Sequence, residues 1–201
     1  MLAKAPQSFE TLRLLLRKPL PGDAQGIFRR YGGDPVVTQF LNWPTHRTIA
    51  DTYAFLRWSD AEWERWPVGP YLLFCREGQN QRVLGSAGIA FKEHEAPEAG
   101  YALAQSAWGQ GYATEALRAM VEIARLLGLE SLRARCHVEH ADSLRILEKC
   151  GFRCEGIARE RLLFPNLSGG VQAEVLNYSI RLDQTAGEGY FSTTTPRQKA
   201  T

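Results

Sequence analysis

The chain is short of the features that mark several protein classes. Across 201 residues the formal net charge is only +2, and no dense Lys/Arg block occurs. That excludes an electrostatic footprint for DNA or RNA, so no nucleic-acid partner is expected. Long hydrophobic runs are absent too. Stretches such as Leu14–Leu16 and Tyr71–Phe74 are far too short to span a bilayer, so no membrane partner is expected. Residues 1–10 contain no extended apolar segment of the kind that opens a secretory signal, which leaves the cytoplasm as the expected location. Cysteine is sparse. Cys75, Cys136, Cys150 and Cys154 show no CxxC spacing, and in a reducing compartment they are expected to be small buried hydrophobes. A zinc site from Cys150, Cys154, His137 and His140 would draw on a strand and both ends of a helix, without the usual spacing, so no metal is expected.

What is present fits one globular domain with tails. The chain is 44% hydrophobic and 23% charged, and it is long enough to bury a core without disulfides or metals. The domain is expected over residues 9–182, after an extension of residues 1–8. Residues 183–201 are expected to form a flexible tail, being poor in apolar anchors, with Tyr190 and Phe191 able to dock.

The pattern predicts a strand over Leu12–Arg17 and a helix from Asp23 to about Tyr31. A helical turn follows at Asp34-Pro35, then a long helix over Thr48–Trp66. Strands follow at Tyr71–Arg76, Arg82–Phe91 and Ala99–Ala104, joined by short turns as an antiparallel meander. A helix over Gly111–Leu127 leads to a strand at Leu132–His137 and a helix at Ser143–Cys150, capped by Gly151. Cys154–Phe164 and Val171–Leu182 are expected to pair across the loop 165–170. Strands 99–104 and 132–137 flank the helix and should be parallel neighbours or splay locally.

The most informative segment is Trp108-Gly109-Gln110-Gly111-Tyr112-Ala113-Thr114-Glu115-Ala116. It stands before a helix whose apolar stripe runs Ala113, Ala116, Leu117, Met120, Val121, Ala124, Leu127. Small residues there let the backbone approach a ligand, and the unpaired N–H groups and helix dipole favour an anion such as pyrophosphate. The Thr114 hydroxyl could reach a phosphate oxygen. A plain tight turn is the alternative. Thr114 replaces the third glycine of a Rossmann fingerprint, and no Gly-Lys-Ser/Thr follows as in a Walker A loop.

Residues 109–116 resemble the acetyl-CoA pyrophosphate loop of the GNAT superfamily, in the form found in RimJ/RimL-type ribosomal-protein N-terminal acetyltransferases. Glu10-Thr11-Leu12-Arg13-Leu14, Leu41-Asn42-Trp43-Pro44, Gly85-Ser86-Ala87-Gly88-Ile89, Glu98-Ala99-Gly100-Tyr101 and residues 143–152 resemble further segments of that group, in the same order. The resemblance spans about residues 9–182. It implies an α/β (α+β) GNAT fold: a mixed, mostly antiparallel seven-stranded sheet flanked by helices, with a splayed central parallel pair.

The resemblance implies a metal-free N-acetyltransferase that uses acetyl-CoA and direct attack by an amine. Two acceptors are open, a protein or peptide N-terminal α-amine or a small-molecule amine such as an antibiotic, polyamine or amino acid. A non-catalytic acyl-CoA-binding protein is a further alternative, and a homodimer is open. Implied cofactor contacts are Gly109, Gln110, Gly111, Tyr112, Ala113 and Thr114 at the loop, with Leu103 and Ala104 offering backbone groups to the pantetheine. Trp108 and His140 stand where the family has Arg or Gln and Asn. Trp108 could pack on the cofactor or on the core; His140 could bond the pantetheine or face solvent. Ser143 is implied near the sulfur as the catalytic hydroxyl, with helix capping as its other reading. Glu160 and Glu174 are the carboxylates implied on the acceptor side.

Overall fold

The computed structural model describes residues 3–76 and 82–182. The expected tail, with Tyr190 and Phe191, lies outside the described residues. Ten strands are described: β1 (Ser8–Glu10), β2 (Leu14–Arg17), β3 (Tyr71–Cys75), β4 (Val83–Ala90), β5 (Glu98–Leu103), β6 (Ser131–His137), β7 (Arg153–Ile157), β8 (Leu162–Phe164), β9 (Val171–Ala173) and β10 (Val175–Arg181). The α-helices are α1 (Ala24–Ile27), α2 (Pro35–Thr38), α3 (Ile49–Arg65), α4 (Tyr112–Leu126) and α5 (Ala141–Lys149).

Eight strands form one sheet in the order β1-β2-β3-β4-β5-β6-β10-β7, and β8 and β9 form a separate ribbon. All pairs are antiparallel except β5 with β6. The fold class stands as expected, with a strand count of eight plus two in place of seven. The first extra strand arises at Thr11. Its hydroxyl accepts from the Leu14 N–H at 3.0 Å while its own N–H donates to the Leu14 carbonyl at 2.9 Å. This closes a turn that folds residues 8–10 back onto β2. The residues before it join the domain as well: Ala5 is buried and its N–H donates to the Pro67 carbonyl. The other change is at the far end. Residues 158–161 leave the strand direction, so the expected long final pair splits into β7–β10 and β8–β9.

Alternation gives the sheet two buried faces. Leu14, Leu16, Leu73, Ala87, Leu103, Leu132 and Ala134 pack with α4, whose Ala116, Leu117, Ala119, Met120, Val121, Ile123 and Ala124 are buried. On the other face Leu72, Phe74, Val83 and Ala102 pack with Ala24, Ile27, Tyr31 and Leu56. Helix α3 starts at Thr48, where the Asp51 carboxylate accepts the Thr48 and Arg47 N–H groups at 2.8 Å. At the other early helix, Asp23 reaches back to the Leu20 N–H at 2.7 Å and pairs with Arg17 at 2.7 Å. The helical stretch behind it tightens and widens again, ending in a π-helical turn over Phe28–Gly32.

Candidate active site at the opening between β5 and β6

The expected loop forms a glycine-shaped turn at the start of α4. Gly109 and Gly111 have φ of 71° and 80°, the left-handed region that favours glycine. A Cβ on Gly109 would meet nothing within 4 Å, so its outer side is open. The loop is clamped from behind by Glu115, a residue whose role nothing in the sequence marks. The Glu115 carboxylate accepts from Thr11 Oγ1 at 2.6 Å, the Arg13 N–H at 2.8 Å and Arg13 Nε at 2.7 Å. Burial alone would raise the Glu115 carboxyl; these bonds outweigh it and hold it below the ordinary value. Arg13 also donates to the Gln110 carbonyl at 2.9 Å and lies over the Tyr112 ring. The exposed Gln110 side chain donates from Nε2 to the Ser106 carbonyl, and the Tyr112 hydroxyl meets Cys75 Sγ at 3.6 Å. The open side is left to backbone N–H groups and the Thr114 position.

Strands β5 and β6 touch at a single residue pair, Glu98 with Arg133, and then diverge. An ion pair between Glu98 and Arg135 at 2.6 Å ties the closed end. The Ala104 N–H donates to the Leu84 carbonyl at 2.8 Å, which commits it to β4. The alternation of an antiparallel ladder then turns the Tyr101 and Leu103 N–H groups toward the opening. The Ala104 N–H, expected to face a cofactor, is thereby spent on β4, and the donors left facing the opening are those of Tyr101 and Leu103. Of the two readings of Trp108, packing in the core is the one the structure overturns. Trp108 is 48% exposed, neither a core residue nor a free one, and its Nε1 donates to the Leu103 carbonyl at 2.7 Å.

Side chains gather where the opening crosses the sheet. Helix α5 begins at Ala141, two residues earlier than expected, so Ser143 is inside its first turn and is not the cap. The Ser143 hydroxyl instead shares a hydrogen bond with the Tyr101 hydroxyl at 2.9 Å. Burial pushes the Tyr101 phenol well above its ordinary value, against the smaller opposing effect of that bond, so it stays protonated. Tyr101 was visible only as part of a strand motif. His140 is the residue at the α5 start, half-buried, with its ring stacked on Phe40 at 4.9 Å. Burial lowers its pKa, opposed by Asp142 and reinforced by His137, which keeps it neutral near pH 7. The buried His137 accepts the Glu139 N–H on Nδ1 at 3.1 Å, which puts its proton on Nε2. Cys136 is buried beside this group, whereas Cys75 and Cys150 are only partly buried and Cys154 is exposed, against the expectation of four buried thiols.

On the face away from α4 the opening widens into a cleft of about 910 Å³. Its floor is the paired strip Ser86–Ala102, Gly88–Gly100, Ala90–Glu98. Gly100 is exposed in the middle of the sheet, and a Cβ there would meet nothing within 4 Å. One wall is α3 with Phe55, Trp58 and Glu62; another is the loop 40–47, carrying Leu41-Asn42-Trp43-Pro44. That loop is held by Asn166 from the β8–β9 connection. Asn166 Nδ2 donates to the Thr38 and Trp43 carbonyls at 2.7 and 2.8 Å, and its Oδ1 accepts the Thr45 N–H at 2.8 Å. Glu160 and Glu174 are exposed and neither lines the cleft, because both stand where the chain breaks between strands. Among the described residues no group of three or more His, Cys, Asp or Glu could hold a metal, and no helix is long and apolar enough to cross a membrane.

The family model described as an acetyltransferase (GNAT) domain matches residues 13–153, most of the chain. The chain belongs to the GNAT acetyltransferase family. It is therefore an acetyltransferase, of a family whose acyl donor is acetyl-CoA. The GNAT domain is 25% identical over 157 residues to the uncharacterized N-acetyltransferase p20 of Bacillus licheniformis, covering 77% of this chain and 86% of that one. Its fold is similar to that of RimL, a ribosomal L7/L12 α-N-protein acetyltransferase solved with coenzyme A, at a TM-score of 0.74 and 22% identity over 88% of this chain and 99% of that one. A GNAT-family acetyltransferase from Bacillus anthracis is similar at a TM-score of 0.71 and 22% identity, over 87% and 98%.

Proposed function

We propose that this protein transfers the acetyl group of acetyl-CoA to the α-amine of a protein or peptide N-terminus, as a RimJ/RimL-type enzyme. The observation that carries the reading is continuity. A glycine loop at a helix start on one side of the sheet is joined, through the β5–β6 opening, to a wide cleft on the other.

The residues present fit acetyl-CoA. Gly109 leaves room for the pyrophosphate beside the left-handed Gly111 at the α4 N-terminus, where unpaired N–H groups and the dipole favour anions. Gln110, Tyr112 and Ala113 contribute backbone, and Thr114 a hydroxyl. The Tyr101 and Leu103 N–H groups are the donors for an extended pantetheine, and for the acetyl carbonyl as charge develops on it. His140 flanks that path. When bound, acetyl-CoA supplies a thioester that an amine can attack directly. Ser143, backed by the protonated Tyr101, holds a hydroxyl proton for the departing sulfur. Holding both reactants in line can supply roughly 7–11 kcal/mol of the barrier.

An N-terminal amine suits this cleft because its pKa, about 7.7–8.0, leaves a neutral fraction near pH 7, against about 10.4 for lysine. The fold likeness to RimL supports the same acceptor class. The test is to incubate the protein and acetyl-CoA with a library of short peptides and locate the added acetyl group by fragment mass spectrometry. Acetyl on α-nitrogens is the expected result; acetyl confined to lysine side chains would overturn it.

A further inference from the structure

We propose that the acceptor is recognised on helix α3: Glu62 receives its ammonium group, and the Phe55 and Trp58 rings beside it receive a bulky apolar side chain next to that amine. This rests on the acetyl-transfer reading and narrows it to peptides that begin with a large apolar residue.

Helix α3 carries two stripes. Its buried stripe is Thr52, Leu56, Ser59 and Trp63, which faces the protein. A second stripe, Asp51, Phe55, Trp58 and Glu62, is rotated from it by about one residue and lines the cleft. Three carboxylates line that cleft, and two of them are spent. Asp51 caps its own helix through the Arg47 and Thr48 N–H groups. Glu98 is bonded to Arg135 Nε at 2.8 Å and paired with its second nitrogen at 2.6 Å. Glu62 makes no ion pair or side-chain hydrogen bond among the described residues. The cation nearest it on the helix, Arg65, is turned to Glu93 at 2.9 Å and lies over the Trp66 ring. Burial pushes the Glu62 carboxyl up despite Arg65, the mark of a carboxylate that lacks a close partner.

The rings add a second feature. Trp58 is half exposed, large for a surface position, and contacts Phe55 at 5.8 Å between centroids. Phe55 continues to His46 at 6.2 Å and His46 to Trp43 at 5.3 Å, a ladder of rings that joins the α3 wall to the loop 40–47. Aromatic faces next to a free carboxylate attract an ammonium and cover an apolar group beside it. The floor opposite is Gly88 and Gly100, which leaves space for a peptide backbone.

The experiment uses the full chain and a peptide series differing only in the first residue: Phe, Leu, Gly and Asp. Kinetics with acetyl-CoA and calorimetric binding of the same peptides are measured for the wild type, Glu62→Gln, Glu62→Asp and Trp58→Ala. Expected results are kcat/KM at least tenfold higher for Phe and Leu than for Gly and Asp, and loss of that preference in Trp58→Ala. Glu62→Gln should raise peptide KM at least tenfold with the acetyl-CoA Kd within twofold, and Glu62→Asp should recover part of it. Unchanged peptide KM and affinity in Glu62→Gln, or a preference that survives Trp58→Ala, would overturn the proposal. Absence of thiol release with every peptide would instead overturn the N-terminal reading. Peptide binding that still depends on Glu62 and Trp58 would then leave this assignment standing.

Discussion

The two sides of the sheet are built on different principles. The loop at 108–116 is made of backbone: left-handed glycines, a helix start and a part-buried clamp in which one carboxylate, Glu115, takes three hydrogen bonds from Thr11 and Arg13 in the turn before β2. The cleft on the opposite side is made of side chains from distant segments. Its mouth depends on Asn166 reaching more than a hundred residues back to residues 38–45, and its wall on exposed rings of α3. A ligand shared by all members of a family can be held by backbone, whereas an acceptor that differs among members needs exchangeable side chains.

The largest expected effect separates the two sides outright. Saturating acetyl-CoA, at about 100 times its Kd, should stabilise the fold by roughly 2.7 kcal/mol, a rise of roughly 5–11 °C in Tm. Gly111→Asp puts a negative charge and a side chain at the loop, where the nearest atom to a new Cβ is an Arg13 nitrogen at 3.3 Å, and should abolish that shift. Gly100→Val adds to the cleft floor a side chain whose Cβ meets nothing within 4 Å, and should keep the full shift while nearly eliminating turnover of a peptide amine. If Gly100→Val loses the shift, or Gly111→Asp keeps it, the division is broken.

Next in size is the junction. Ser143→Ala and Tyr101→Phe should each lower kcat about a hundredfold, the low end for a positioned proton donor, with acetyl-CoA Kd changed less than threefold. Matched losses in kcat and in acetyl-CoA binding would make the pair a binding feature.

The contrast also explains what could be read in advance. The glycine loop was legible because its chemistry is contiguous, and so was α4, whose apolar stripe has helical period. Most of the strands followed from alternation and turns for the same reason. Tyr101, Asn166 and Glu115 were not legible as partners. Each acts through a contact 40 to more than 120 residues away, which only the sheet order creates. Capping stays open for Ser143 in the sequence, beside its catalytic reading, because a helix start at His140-Ala141 has no capping side chain to mark it. Ala104 was expected at the opening because strand phase, the choice of which N–H points which way, depends on the partner strand.

A smaller effect is expected at the mouth. Asn166→Ala takes the side-chain donor from the Trp43 carbonyl and one of two donors from the Thr38 carbonyl, which keeps the Leu41 N–H, and should cost on the order of 1–3 kcal/mol, read as a lower Tm. It should raise KM for the peptide and leave acetyl-CoA binding alone; an equal loss of both would mean that the loop supports the whole domain.

The smallest effect is a difference in pH response. The pKa of His46 and His140 is lowered, chiefly by burial, so both should contribute stability that is present above about 6.5 and lost as pH falls below it. Glu115 is also lowered, but from a carboxylate's range, so its clamp should hold until pH falls below about 4.5. Hydrogen exchange should therefore show residues 38–48 and the α5 start loosening between pH 6.5 and 5 while the α4 start stays protected. Simultaneous loosening of both would remove the distinction.

The central claim, an α-amine delivered through the cleft to acetyl-CoA held at the loop, is tested most directly by competition. Thiol release is measured at fixed acetyl-CoA with short peptides bearing a free N-terminus, the same peptides N-blocked but carrying lysine, and a panel of small amines. The account predicts the highest kcat/KM for free N-termini. A preference for blocked lysine peptides, or for one small amine by a hundredfold, would contradict it.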